Sequence, residues 1–335
     1  MNKATNIAVL GAGAWGTALA IHLAKVGHTV NLWTHRQEQA IELMSARENA
    51  RYLPGILFPA NLNPIGNLAE ALASVDAILL VVPSNAFRET LIAVKSQLKE
   101  RDIHLAWATK GFEPTTQKLL HEVAFEVMGE DPQVAVLSGP TFANEVAKGL
   151  PTAMVSASNK ETEAQYWANL FHNDSFRMYT QSDMVGVEVG GAYKNIMAIA
   201  TGVSDGLHMG ANARAALVSR GMVEMMRLSQ ALGGHTETMM GLAGLGDLVL
   251  TCTDDLSRNR RFGFGLASGN LSSEQVMNEI GQVVEGVKAV KTVKLIADKL
   301  SLDLPIMEQV YLLVNADISP KQAVHALMSR SGKSE

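Results

Sequence analysis

Ile7-Ala8-Val9-Leu10-Gly11-Ala12-Gly13-Ala14-Trp15-Gly16-Thr17-Ala18-Leu19-Ala20 decides the fold of the first half of this chain. An unbroken apolar run reads as a strand buried on both faces. Glycines then recur as GxGxxG, and an alanine-rich stretch begins a helix. A lone GxGxxG is weak, but strand before and helix after is the context a dinucleotide loop requires. Gly11 permits the tight turn, Gly13 lets backbone approach a diphosphate, and Gly16 allows close packing of helix on strand. The N–H groups from Ala14 onward would offer the phosphates the positive end of the helix dipole.

Outward from this loop, strands are expected at Thr29–Trp33, Ala77–Val82, His104–Trp107, Val134–Leu137, Ala153–Ala157 and Phe176–Tyr179. Helices are expected between them at Gly16–Lys25, Arg88–Lys99, Leu119–Met128 and Thr162–Phe171. This alternation predicts a doubly wound α/β sheet of Rossmann type over residues 1–182. Beyond Asp183 the period-2 runs stop. Ala192–Val203, Asn212–Leu232, Gln275–Ile280, Val284–Asp298, Pro305–Val314 and Pro320–Met328 read as helices, giving an all-α domain over 183–335. Two domains suit a length of 335 residues.

With 47% hydrophobic and 18% charged residues, the chain reads as globular rather than disordered. Its net charge of -5 favours neither nucleic acid nor an anionic membrane as partner. No apolar run approaches the roughly 20 residues that span a bilayer. One cysteine, Cys252, and no signal-peptide pattern point to the cytoplasm. A homodimer is compatible with these features and is not specified by them.

Ligands of an open α/β sheet lie beyond the carboxyl ends of its strands. Val82-Pro83-Ser84 leaves such an end and would line a cofactor cleft or form a plain turn. Thr109-Lys110-Gly111 sets a lysine where it could meet an anion or carbonyl oxygen. Ser138-Gly139-Pro140-Thr141-Phe142-Ala143 exposes backbone N–H groups and a hydroxyl just before a helix, an arrangement that can cradle a phosphate or cap a turn. At the end of the second strand stands Thr34-His35-Arg36, where NAD sites carry an acid for the ribose hydroxyl. Arg36 can pair instead with a 2′-phosphate through its planar fork, or stay solvated.

In the helical half, Lys194 follows Gly190 and Gly191 by a helical turn, on a face where missing side chains leave room. A lysine in so apolar a helix needs a partner, a task, or a snorkelling route to water. A nearby cation such as Lys110, or burial, would lower its pKa towards the useful range. Gly241–Leu248 follows no strand and reads as a flexible connection presenting Asp247, to orient Lys194, accept a substrate hydroxyl or cap a helix. Ser257-Arg258-Asn259-Arg260-Arg261 concentrates cations in an acidic protein. Ser257 can cap the next helix while Arg258 and Asn259 face an anion. Helical geometry cannot aim all three arginines alike, so one or two are structural or solvated. Gly281–Gly286 is a further loop able to close over a cofactor.

Taken in order, G-A-G-A-W-G-T-A-L-A, A-T-K-G around Lys110, L-S-G-P-T-F-A at Leu137–Ala143, G-A-Y-K-N at Gly191–Asn195, G-L-G-D at Gly244–Asp247, S-R-N-R-R-F-G at Ser257–Gly263 and G-Q-V-V-E-G at Gly281–Gly286 resemble bacterial-type NAD(P)-dependent glycerol-3-phosphate dehydrogenase. The resemblance implies reversible reduction of dihydroxyacetone phosphate to sn-glycerol 3-phosphate for phospholipid synthesis, with NADPH or NADH. It also implies a helical domain similar to that of 6-phosphogluconate dehydrogenase. Lys194 would be the acid/base, and Lys110, Gly139, Thr141, Asp247, Ser257, Arg258 and Asn259 would hold substrate. Trp15, Arg36, Lys110, Ala143, Arg258, Val283 and Glu285 would meet the cofactor, with the Gly11–Gly16 loop on its diphosphate. A β-hydroxyacid or ketopantoate-type dehydrogenase shares the two-domain plan but needs no phosphate clamp. A dinucleotide sensor without turnover needs neither Lys194 nor Asp247.

Arg36→Ala should raise the KM for NADPH about tenfold or more and leave that for NADH within about threefold, the loss expected for one charge-assisted contact. Equal loss for both cofactors in steady-state assays would remove the 2′-phosphate role.

Overall fold

The computed structural model describes residues 4–98, 101–129, 131–268 and 271–330. Lys99, placed above at the end of a helix, and the extreme termini of both expected domains lie outside these residues. The chain divides into two compact units, Met1–Glu113 with Lys118–Val187, and Pro114–Gln117 with Glu188–Glu335.

The first unit contains strands β1 (Asn6–Leu10), β2 (Thr29–Trp33), β3 (Glu48–Asn49), β4 (Leu53–Leu57), β5 (Leu62–Ile65), β6 (Ala77–Leu80), β7 (His104–Trp107), β8 (Val134–Ser138), β9 (Thr152–Ala157) and β10 (Phe176–Gln181). Eight form one sheet in the order β10-β9-β8-β7-β6-β1-β2-β5, while β3 and β4 make a separate antiparallel ribbon. From β5 to β8 all neighbours are parallel. The sheet is not parallel throughout: β9 pairs antiparallel with β8, and β10 runs parallel to β9. The apolar runs show that strands are buried, and both orientations satisfy that condition.

β5 escaped sequence reading because Pro64 interrupts it. At the sheet edge a proline removes no ladder bond that a neighbour needs, so the strand survives. From β1 the chain winds one way to β2 and β5, then crosses to β6 and winds the other way. The point of reversal lies between the carboxyl ends of β1 and β6, where an open sheet opens its crevice. Gly11 stands there with φ of 123°, and a Cβ on it would lie 2.6 Å from the Val81 carbonyl oxygen. Both the torsion and the close strand approach demand glycine.

The helix after the loop, Ala14–Val26, is buried along most of its length. It carries His22, whose Nε2 lies 2.7 Å from the Phe171 carbonyl oxygen and whose ring packs 4.1 Å from that of Phe176. Burial pushes this imidazole down to about 4, with Lys25 and His28 adding repulsion against the weaker upward pull of the Phe171 carbonyl.

A single helix, Met184–Gly206, starts earlier than the Ala192 expected from the sequence and runs straight through Gly190 and Gly191. Its glycines are contact points rather than breaks. A Cβ on Gly202 would overlap the Arg260 carbonyl oxygen, and one on Gly263 would overlap that of Ile199. The helices Met184–Gly206 and Arg258–Ser268 therefore cross backbone to backbone. Gly210–Ala231, Ser273–Ile280, Glu285–Leu300, Pro305–Val314 and Pro320–Met328 complete the expected helices, each within a few residues of its sequence placement. Glu224, buried, ties three of them: it accepts from Tyr193 Oη at 2.6 Å and from the N–H groups of Ile306 and Met307 at the start of Pro305–Val314. Among the described residues no helix is long and apolar enough to cross a membrane.

Two outcomes test this architecture. Gly202→Ala gains about 1 kcal/mol of helix propensity, yet the backbone it meets cannot rotate aside, so urea melts should show net destabilisation of about 1–3 kcal/mol. A neutral or stabilised variant would mean that the helices do not touch there. His22 has its folded pKa depressed, so its neutral form is required for full stability above the unfolded value of 6.5 and stability drains away as pH falls from there towards 4. His22→Gln, which still donates to Phe171, should flatten the dependence of Tm on pH between 6.5 and 4.5.

Candidate active site

Each unit carries its own share of the candidate residues. In the first, the glycine loop is braced from beneath. Ala12's carbonyl accepts from Gln39 Nε2 at 3.2 Å and from Asn49 Nδ2 at 3.0 Å, and Asn49 also donates to Thr17 Oγ1 at 2.7 Å. Gly13 has open space where its Cβ would be, whereas a Cβ on Gly16 would overlap the Gly11 carbonyl oxygen. Gly13 thus leaves a cradle and Gly16 closes the turn, as the motif requires. Ala14 opens the helix, and the half-buried Trp15 holds a buried indole N–H with no acceptor. Arg36 precedes the Gln37–Ala46 helix, missed in the sequence, with its Nε buried and unpartnered. Orphaned donors around an open glycine cradle fit a polyanionic dinucleotide.

Lys110, Gly139 and Thr141 come together. Lys110 Nζ lies 3.4 Å from the Gly139 carbonyl oxygen, to which Thr141 Oγ1 donates at 3.3 Å. Lys110 sits in a loop held on both sides. Thr109 Oγ1 donates to Val82 O at 2.8 Å, and buried Glu113 takes a two-pronged contact from Arg88 at 2.7 and 2.8 Å. Gly139 is required by packing, since a Cβ there would come within 2.9 Å of the Ala153 carbonyl oxygen. Ala143 opens the short Ala143–Lys148 helix.

In the second unit Lys194 is buried, 6% exposed, and its Nζ is 2.5 Å from Asp247 Oδ1. It does not snorkel. The room expected beside Gly190 is filled: a Cβ there would overlap the Ala243 carbonyl oxygen. Nor is Gly241–Leu248 a flexible connection. Leu242–Gly246 forms a π-helical turn, with Gly244 against the Met239 backbone, and runs into the Asp247–Thr253 helix. Seating this turn on Gly190 delivers the fully buried Asp247 to the lysine one turn onward. Thr251, one turn after Asp247, receives a hydrogen bond from Lys194 Nζ at 3.1 Å and donates to the Asp247 carbonyl at 2.6 Å. The sequence signal for Thr251 was the i, i+4 spacing from Asp247, legible only once that segment is known to be helical. Cys252, beside them, is fully buried, and burial pushes its thiol up to about 12.

Ser257 caps Arg258–Ser268 as expected, its Oγ accepting from Arg260 N at 3.3 Å. Arg260 is the structural arginine, held by Asp205 at 2.6 and 3.1 Å and also paired with Asp255, while Arg261 is exposed. Arg258 keeps a lighter tie, donating to Gln282 Oε1 at 3.1 Å. Asn259 is engaged at both ends, giving Nδ2 to Asn195 Oδ1 at 2.8 Å and accepting Gly286 N at 2.9 Å. Asn195 in turn donates to Glu285 Oε2 at 3.4 Å. The Gly281–Gly286 loop is thereby pinned to the residue beside Lys194 and to the proposed clamp. Val283 stands 51% exposed on that loop, outside these bonds. Among the described residues no cluster of His, Cys, Asp or Glu has metal-site geometry.

Known proteins resemble both units. Residues 6–164 match the family described as NAD-dependent glycerol-3-phosphate dehydrogenase N-terminus, and residues 183–325 match the corresponding C-terminus. The glycerol-3-phosphate dehydrogenase [NAD(P)+] of Hydrogenovibrio crunogenus is 65% identical over 100% of this chain and 98% of its own. That of Aeromonas salmonicida is 50% identical over 98% of each chain. The crystal structure of glycerol-3-phosphate dehydrogenase from Coxiella burnetii has a TM-score of 0.94 at 46% identity, covering 98% of this chain and 99% of that one. The chain belongs to the NAD-dependent glycerol-3-phosphate dehydrogenase family.

Proposed function

We propose that the chain interconverts dihydroxyacetone phosphate and sn-glycerol 3-phosphate with NADPH or NADH, and that it serves phospholipid synthesis in the cytoplasm. The observation that carries the reaction is the buried Lys194–Asp247 pair with Thr251, in a chain both of whose halves match this family. When bound, the nicotinamide supplies the hydride or accepts it.

The protein's own work is to handle a proton and an anion. Lys194 is paired as an ammonium with Asp247, so it holds a proton at Nζ for the oxygen that becomes the alcohol. Asp247 and Thr251 both contact that nitrogen and so fix its position. Lys110 adds a positive charge to polarise the carbonyl, helped by Gly139 and Thr141. Ser257, Arg258 and Asn259 hold the substrate phosphate at the start of Arg258–Ser268: Arg258 by charge, Ser257 by ordering the first turn, and Asn259 by shaping the loop that bears Glu285. Gly11, Gly13, Ala14, Trp15 and Gly16 take the dinucleotide diphosphate side. Arg36 takes a 2′-phosphate when one is present. Ala143, Val283 and Glu285 complete the cofactor contacts.

NADPH oxidation should depend on dihydroxyacetone phosphate and fail with dihydroxyacetone, since without the phosphate the clamp has nothing to hold. Turnover of unphosphorylated ketones or 2-oxoacids at equal rates would reject the assignment. Lys194→Ala should lower kcat by at least about a thousandfold, the scale of a lost general acid, with cofactor affinity kept within threefold by fluorescence titration. Activity within tenfold of the parent would remove the acid/base role.

A further inference from the structure

The contacts around Arg36 go beyond one arginine at a strand end. Gln39 is buried in the first turn of the Gln37–Ala46 helix, and its amide is engaged at both ends. Its Oε1 accepts from Thr34 Oγ1 at 2.8 Å and from Arg36 Nη2 at 3.1 Å, using both carbonyl lone pairs. Its Nε2 donates to the Ala12 carbonyl inside the glycine loop at 3.2 Å. One neutral side chain therefore ties the arginine that ends the second strand to the loop that ends the first. Asn49 donates to the same carbonyl, so the anchor under Gln39 is itself fixed.

The choice of a neutral acceptor matters. A carboxylate here would hold Arg36 as firmly but would cancel its charge, and would repel a 2′-phosphate while accepting a ribose hydroxyl. An amide orients the guanidinium and leaves its charge intact. Among the described residues Arg36 has no carboxylate partner, and its Nε is buried without an acceptor. That N–H awaits an oxygen.

We infer that Gln39 is a positioning residue for cofactor choice, setting the NADPH:NADH preference by holding Arg36 at full charge against the glycine loop. The inference rests on the reading of Arg36 as the 2′-phosphate contact and adds the residue through which it acts.

The test measures kcat/KM for NADPH and for NADH in Gln39→Glu, Gln39→Met, Arg36→Ala and the Arg36→Ala/Gln39→Glu pair, with Tm recorded for each. Gln39→Glu should lower the NADPH:NADH ratio at least tenfold. Gln39→Met, which keeps the length but cannot accept, should lower it less and in the same direction. In the Arg36→Ala background, Gln39→Glu should move the ratio less than threefold, because the residue through which it acts is gone. A merely structural role would lower both cofactors together and leave the ratio within twofold in both single variants, which overturns the inference. If Arg36→Ala shifts the ratio and neither Gln39 variant does, Gln39 alone is rejected. If Arg36→Ala leaves the ratio unchanged, the 2′-phosphate reading fails first and the inference with it. Should Gln39→Met prove unstable, the Gln39→Glu comparison still decides.

Discussion

Backbone contact along the Met184–Gly206 helix is the constraint from which the helical unit's chemistry follows. Gly190 admits the Ala243 carbonyl and Gly202 admits that of Arg260, so two neighbouring segments approach closer than any side chain would permit. Lys194 lies between these two contacts. The first seats the π-helical turn that carries Asp247 and Thr251; the second fixes the helix that begins at the Ser257 cap. Lys194 and the start of Arg258–Ser268 are thus referred to one rod. Glycine is costly inside a helix, by roughly 0.5–1 kcal/mol relative to alanine, and that cost is offset only where close approach is needed.

Charge is handled in the same economical way. A protein with net charge -5 must assemble any positive site locally, and the cations described here divide by partner. Arg260 is consumed by Asp205 and Arg88 by Glu113, and both serve the scaffold. Lys194 is paired too, with a residue one helical turn from Thr251, which also accepts from its Nζ, so its position is fixed by two partners. Arg258 and Arg36 differ from all of these in being held by glutamines, Gln282 and Gln39. An amide acceptor orients a guanidinium without neutralising it, which leaves it able to attract phosphate.

Much of this was legible from residue order. The strands β1, β6, β7 and β8 announce themselves because burial demands apolar runs, β2 because its apolar residues alternate, and the glycine loop because the tight turn at Gly11 and the open cradle at Gly13 leave few alternatives. Lys194 stood out because a cation in an apolar helix needs a reason. What resisted reading depended on tertiary context. β5 carries a proline that only an edge strand tolerates, and the reversal of β9 and β10 leaves no mark on an apolar pattern. Gly190 looks like empty room beside Lys194 in one dimension and is filled by the Ala243 carbonyl in three. Gln39, Asn195 and Thr251 are ordinary polar residues until the chain brings a partner to each.

Cys252 lies in the helix that bears Asp247 and Thr251, fully enclosed, with its proton held on by burial. A thiol reacts as its thiolate, and this one is denied both the charge state and the access that reaction needs. The chain's one sulfhydryl is therefore filler, chemically mute. A protein whose trade is moving hydride keeps beside the buried Lys194–Asp247 pair no thiol that oxidants or electrophiles can turn into a competing redox couple.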